Sequence, residues 1–420
     1  MEAFKKTVNH IGYFLICFII LIENFSLLKI LDQYFIKHIL IISFLLLTLI
    51  YLIFYSKIYE VKFSSLISRE AKLMLILTLI LFLISIVRQI YYEKLGLFTF
   101  KQLYFLIVPI FVSSMFSLNR KNIRKYVNII FFSTLFCFLY FTISNGLLNA
   151  QNIAASFNLI KTLTESITPI ETNMGQLFLL CFVFYLYDRR YILAIITSFF
   201  VILSSKRMSI VFLFLTPLFF AAIALSHYFK IKRKPLNNYK IISLIIIFAF
   251  GFGTMFLYNL YLDSSFGLEF YMATELDLTK FSMSRDQIFT LAMSKGGHFA
   301  GLGAVTNILE EFDIPGMTNL HNDILMLYMD CGFIGMTVFL IIFIKMFKVS
   351  KYSLFLCLYL FVELFTAHYL GSGGIVFFSC FYIITRYFNY NEKNANDKIL
   401  PKMKIKSSVG NYIAYYHKGI

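Results

Sequence analysis

Apolar residues run along this chain in long blocks, with little of the interruption by polar positions that marks a half-buried helix or strand. An α-helix needs about 20 residues to cross roughly 30 Å of hydrocarbon. Blocks of that order occupy residues 10–30, 36–55, 71–91, 98–117, 126–148, 173–187, 191–205, 208–228, 240–261, 321–343, 351–370 and 372–388. The pattern predicts about twelve spans, the sixth and seventh shorter than the rest. Polar residues collect in short connections, in two longer segments over 149–172 and 262–320, and in a tail over 389–420. The expected fold is an all-α polytopic integral membrane protein, a single transmembrane helical domain over 1–388 followed by that tail. The first block follows Lys5 and Lys6 as a secretory signal would. No small-residue cleavage site closes it, however, and a second block begins within a few residues, so it reads as a retained helix.

Composition agrees with the pattern. With 59% hydrophobic residues, 14% charged residues and a mean hydropathy of +0.77, the chain cannot be one water-soluble core. Tryptophan is absent while Tyr and Phe are abundant, so an interfacial aromatic belt has to be built from Tyr. Cys17, Cys137, Cys181, Cys331, Cys357 and Cys380 all fall inside expected spans without metal-ligand spacing, and they read as small core residues.

Charge adds orientation. Most of the 38 Lys and Arg lie in alternate connections: Lys5 and Lys6; Lys57, Lys62, Arg69 and Lys72; Arg120, Lys121, Arg124 and Lys125; Arg189 and Arg190; the cluster over 230–240; Lys345, Lys348 and Lys351; and the C-terminal tail. Basic residues favour the cytoplasmic side, so both termini are expected there. The segments 149–172 and 262–320 then face outward, the larger between spans 9 and 10. The net charge of +16 is accounted for by this topology and by anionic inner-leaflet lipid, without nucleic acid as a partner.

Outward basic residues run against that bias and are therefore informative. In LSSKRMSIVFLFL, Lys206 and Arg207 sit at an abrupt turn between two spans. Charges so near hydrocarbon snorkel, pair or bind an anion. In SMSRDQIFTLAMS, Ser284 is placed to cap a short interfacial helix that holds Arg285 at headgroup depth, with Asp286 as an alternative local partner. The following GGHFAGLGAVTN offers exposed backbone N–H groups of the kind that bind oxyanions, or simply a turn that presents the loop. His321, Asn322 and Asp323 then open an apolar block. A helix-end histidine titrates near neutrality and can move a proton, although such residues also serve as caps, as Asn322 and Asp323 can. Gly332 and Gly335 suggest close helix packing. Asp330, Glu363, His368, Glu23 and Arg88 form an intramembrane polar set that needs partners.

Taken together, the short outward SSKR turn, the late outward loop with SR at a short helix, the GLG, and HN at the head of a span with GxxG below it resemble the O-antigen polymerase and O-antigen ligase superfamily. The motifs span residues 200–345; the rest of the chain is similar in topology and hydropathy alone. The resemblance implies a glycosyltransferase of the bacterial inner membrane with its site on the periplasmic face, acting on undecaprenyl-diphosphate-linked oligosaccharide. By that reading Arg207 and Arg285 bind the diphosphate, Lys206 and Asn322 assist, and His321 serves the acceptor sugar as the catalytic base. A chain-length regulator and a flippase are the implied protein partners. Family members commonly carry serine or glycine before the first arginine where this chain has Lys206, which leaves open which of the two cations binds.

The chemistry is coherent with no cofactor and no metal. Breaking the bond from anomeric carbon to phosphate develops charge on a diphosphate, which arginine meets with charge-assisted hydrogen bonds, and no outward DxD cluster points to a divalent cation. The expected reaction is an inverting, metal-independent transfer. A polymerase moves the glycan onto a lipid-linked repeat unit and a ligase onto lipid A core; polymerase is the favoured reading. A transporter or flippase is the alternative from another class, but it would place its charges near the midplane of repeated halves.

Overall fold

A computed structural model of the chain describes residues 2–27, 34–58, 69–92, 98–117, 123–158, 172–228, 266–274, 285–294, 299–311, 322–347, 351–366 and 374–391, together with isolated residues between them. Every regular element among these is a helix. They are α1 (Glu2–Leu27), α2 (Tyr34–Ile58), α3 (Arg69–Tyr91), α4 (Phe98–Ser117), α5 (Ile123–Ser144), α6 (Ala150–Phe157), α7 (Met174–Tyr187), α8 (Tyr191–Leu203), α9 (Arg207–Tyr228), α10 (Phe266–Thr274), α11 (Arg285–Ser294), α12 (Ala304–Glu310), α13 (Asp323–Phe347) and α14 (Lys351–Thr366). A last helix, α15, covers 375–391.

Among the described residues, five helical stretches are long and apolar enough to cross a membrane: Ile39–Ile58, Ala71–Tyr91, Ile123–Ser144, Arg207–Leu225 and Asp323–Phe343. His10–Glu23, Met174–Tyr187 and Tyr191–Leu203 are apolar but shorter. The outer faces of the long helices carry exposed Leu46, Phe54, Leu83, Val87, Phe136, Phe214 and Leu218. Apolar side chains in that number and continuity require a lipid environment. This is a multi-pass membrane protein.

Helices form here because hydrocarbon leaves backbone N–H and C=O groups no partner except one another. Hydroxyl side chains turn inward and bond their own helix. Thr78 donates to Met74 O, Ser114 to Ile110 O and Thr216 to Phe212 O, the last just before Pro217.

The interior is aromatic where α5, α7, α8 and α15 meet. Ring centroids of Phe131 and Tyr185 lie 5.9 Å apart, of Phe138 and Phe178 5.7 Å, and of Tyr187 and Phe388 4.2 Å. Such pairs contribute roughly 0.5–1.5 kcal/mol each beyond the area they bury. Near the start of α7's connection to α8, Asp188 gathers three elements. It accepts from Arg124 Nη2 of α5 at 2.7 Å and from the Tyr387 hydroxyl of α15 at 3.0 Å, and pairs with Arg190 Nε at 3.0 Å. This polar clamp marks one end of the bundle.

Glu23 illustrates how intramembrane charge is absorbed. Its Oε2 accepts the Val376 N–H at 2.6 Å, so α1 supplies an anion to the N-terminus of α15. The tail from residue 392, most of 240–261, and His368 lie outside the described residues.

Candidate functional site

The bundle end opposite the Asp188 clamp holds the SSKR turn. α8 closes with Ser204 N–H on Phe200 O and Ser205 N–H on Ile202 O, each at 3.0 Å, and α9 opens with Ile210 N–H on Lys206 O at 3.0 Å. The chain therefore reverses direction within three residues. Ser205 makes this possible at φ 54°, a left-handed conformation that stores about 1 kcal/mol or more in a non-glycine residue. α7 is pinned to the same turn. Thr172 N–H donates to Ser204 O at 3.1 Å, and a Cβ on Gly175 would overlap Ser204 Oγ and stand 3.0 Å from Lys206 Cβ. Glycine at 175 is what lets the two spans approach this closely.

The two helices that meet at this turn are short. The 14 residues of α7 rise about 21 Å and the 13 of α8 about 20 Å, against roughly 30 Å of hydrocarbon. Both helices are thus shorter than the hydrocarbon thickness, and the SSKR turn lies at the end of the pair opposite the Asp188 clamp. Lys206 and Arg207 are half-buried there, while Ser204, Ser205 and Ser209 are buried.

A polar layer lies at the same level. Glu363 of α14 is completely buried, and its Oε2 accepts a short hydrogen bond from Gln176 Nε2 of α7. The Lys206 ammonium acts on the Glu363 carboxylate, with the Tyr359 and Ser209 hydroxyls around it. Those two hydroxyls bond each other at 3.2 Å. Four residues, Gln176 of α7, Lys206 of the turn, Ser209 of α9 and Tyr359 of α14, thus surround the Glu363 carboxylate at the foot of the SSKR turn.

The second polar assembly lies where α3, α12 and α13 meet. α13 is not continuous: Gly332 takes φ 68° and ψ −173°, a conformation open essentially only to glycine, and the helix breaks there. Carbonyls released at the break accept from the incoming loop, Met329 O from Phe299 N–H and Asp330 O from Gly301 N–H at 3.1 Å. The Asp330 carboxylate in turn accepts Gly303 N–H at 2.7 Å and Val305 N–H at 2.8 Å, capping α12. Ser85 Oγ of α3 accepts Leu302 N–H at 2.9 Å. Arg88 donates to Phe299 O at 3.3 Å, sits over the Phe299 ring at 5.5 Å, and occupies the space a Cβ on Gly332 would take. Two N–H groups of this segment, those of Gly303 and Val305, are thus taken by the carboxyl group of Asp330 in the same chain. Gly332 likewise acts as a helix break, where spacing alone suggested packing.

Comparison with known proteins adds no relative. No family model, no curated protein and no solved structure matches this chain.

The residues expected to form a site are distributed as follows. Lys206 and Arg207 are adjacent at the SSKR turn. Arg285 is the first residue of α11, and Ile288, Phe289 and Ala292 of that helix are buried, as an apolar inner face requires. The Arg285 side chain and all of His321 lie outside what is described. Asn322 is buried and serves as a helix cap: its Oδ1 accepts Leu325 N–H at 2.9 Å, the carboxamide thereby satisfying an orphan donor of α13. Among the described residues no contact joins Asn322 to the SSKR turn. Gln176, Thr172, Ser209 and Tyr359 were not anticipated. Gln176 left one readable trace, a carboxamide in the first turn of an apolar block.

Proposed function

We propose that this chain is a glycosyltransferase of the bacterial plasma membrane that polymerises a surface polysaccharide such as O-antigen or capsule. In this reading it has about twelve spans and cytoplasmic termini. It takes the growing glycan from undecaprenyl diphosphate and joins it to a lipid-linked repeat unit at the outer face. The observation that carries the reading is the SSKR turn: two adjacent cations, Lys206 and Arg207, half-buried at the ends of two short apolar helices beside a layer of hydrogen-bonding groups. A diphosphate whose polyprenyl tail stays in the bilayer presents its charge where spans end. Guanidinium and ammonium groups stabilise the charge that develops on it as the bond to the anomeric carbon breaks.

The attacking hydroxyl of the acceptor loses its proton to a base, the role assigned to His321. The new glycosidic bond forms at the anomeric carbon, and the electron pair of the broken bond leaves on the lipid diphosphate. Arg285, at the head of an interfacial helix in the same outward loop, is the second proposed diphosphate ligand, with Asn322 near the acceptor. No divalent cation is required, because a diphosphate is already a competent leaving group.

Deletion of the gene tests the proposal, with complementation by wild type, Arg207→Ala or His321→Ala and mass analysis of lipid-linked and surface glycans. Single repeat units without polymer, restored by wild type alone, support polymerisation. Full-length polymer retained on its carrier points to a ligase, and unchanged glycans refute glycosyl transfer.

A further inference from the structure

The polar layer beneath the SSKR turn is incompletely satisfied. Glu363 Oε1, Gln176 Oε1 and Thr172 Oγ1 are all buried, and among the described residues none has a hydrogen-bond partner. Glu363 and Gln176 have no exposed surface at all. The Glu363 Oε2 and Gln176 Nε2 atoms satisfy each other, and the Ser209 and Tyr359 hydroxyls, which bond each other at 3.2 Å, also act on the Glu363 carboxylate. Two of the three open atoms can only accept, and the third, a hydroxyl, can accept or donate. A buried group left in this state is destabilising, all the more in a bilayer that offers no water. Such atoms on residues that meet at the foot of the SSKR turn mark a place where donors arrive with a ligand.

The chemistry of the layer narrows the ligand. A bound cation is disfavoured because the Lys206 ammonium already acts on Glu363, and no group of three His, Cys, Asp or Glu gathers among the described residues. An anion would face the Glu363 carboxylate. Neutral donors fit: vicinal hydroxyl groups, which carry O–H donors at a spacing that a carboxylate and a carboxamide side by side can meet. Thr172 and Lys206 are partly open, Lys206 within the SSKR turn and Thr172 bonded to it through Ser204 O.

We propose that Glu363, Gln176 and Thr172 form a sugar-hydroxyl subsite behind Lys206, holding the glycan residue next to the diphosphate. The proposal rests on the glycosyl-transfer reading, because that reading brings a diphosphate-linked sugar to Lys206 and Arg207. It assigns Glu363 a binding role: its open oxygen selects for sugar, and the cations select for phosphate.

Binding to the full-length protein in nanodiscs, followed by native mass spectrometry, tests this with two probes. One is the lipid-linked glycan extracted from a strain lacking this gene; the other is undecaprenyl diphosphate without sugar. Glu363→Gln, Gln176→Met and Thr172→Val are compared with wild type, with melting temperature as the check on folding. Thr172→Val, at a partly open position, covers the case in which the buried variants fail to fold.

The expected result is glycan-lipid binding weakened about tenfold or more in each folded variant, as loss of a buried hydrogen bond to a charged or amide group implies. Bare undecaprenyl diphosphate binds Gln176→Met and Thr172→Val, which leave the charge beside Lys206 in place, as it binds wild type. Equal weakening for both probes, or none for either, overturns the subsite while leaving glycosyl transfer to be judged by product formation. Sugar-dependent binding in a wild-type protein that makes no product would keep the subsite and overturn the transferase. Wild type that binds neither probe overturns both.

Discussion

Removing a carboxylate oxygen at Asp330 should release the loop that leads into α12. The carboxylate accepts two backbone N–H groups, Gly303 at 2.7 Å and Val305 at 2.8 Å, in full burial. Hydrogen bonds to a charged group contribute about 1.5–3 kcal/mol each. Asp330→Asn keeps one acceptor oxygen, loses the charge, and turns an N–H of its own toward one of the two donors. One bond is thus lost and the other weakened, an expected local loss of about 2–4 kcal/mol. Hydrogen–deuterium exchange in nanodiscs reads this directly. Peptides covering 299–309 exchange by local opening, so their protection should fall by about 30-fold to 1000-fold, while peptides from α5 and α7 keep wild-type rates. Unchanged protection over 299–309 in a folded Asp330→Asn protein would refute the argument that this carboxylate latches the loop.

Three further outcomes follow from the same contacts. Gly332→Ala places a side chain at φ 68° and onto the Arg88 guanidinium, so it should destabilise by about 1–3 kcal/mol from backbone strain alone; in a thermal-melt double-mutant cycle, adding Arg88→Ala should recover part of the loss. Gly175→Ala should displace the SSKR turn, because its Cβ meets Ser204 Oγ and stands 3.0 Å from Lys206 Cβ; turnover in a reconstituted assay should fall by more than tenfold with a smaller change in melting temperature. Arg124→Ala, although it breaks a 2.7 Å ion pair, should shift stability by less than about 1 kcal/mol, since the arginine side chain is 53% exposed.

What the sequence made legible was governed by range. Span positions follow from local hydropathy, and the expected blocks at 71–91, 173–187 and 351–370 correspond to α3 (Arg69–Tyr91), α7 (Met174–Tyr187) and α14 (Lys351–Thr366). The SSKR turn was equally visible, because two apolar blocks adjoin there with no room for a loop. Partners of the intramembrane charges were invisible, since each lies far along the chain: Glu23 meets Val376, Asp330 meets Gly303 and Val305, and Glu363 meets Gln176. Gly332 misled for a related reason. GxxG spacing reads as a packing motif whenever the helix continues, and only a backbone angle distinguishes a helix that stops.

The central claim is tested most directly by purified protein in nanodiscs supplied with the lipid-linked repeat unit, its products resolved by mass as a ladder of repeat units. The account predicts a ladder with wild type, retained in chelator, and none with Arg207→Ala of equal melting temperature. A ladder of undiminished length and rate from Arg207→Ala, or none from folded wild type, would contradict it.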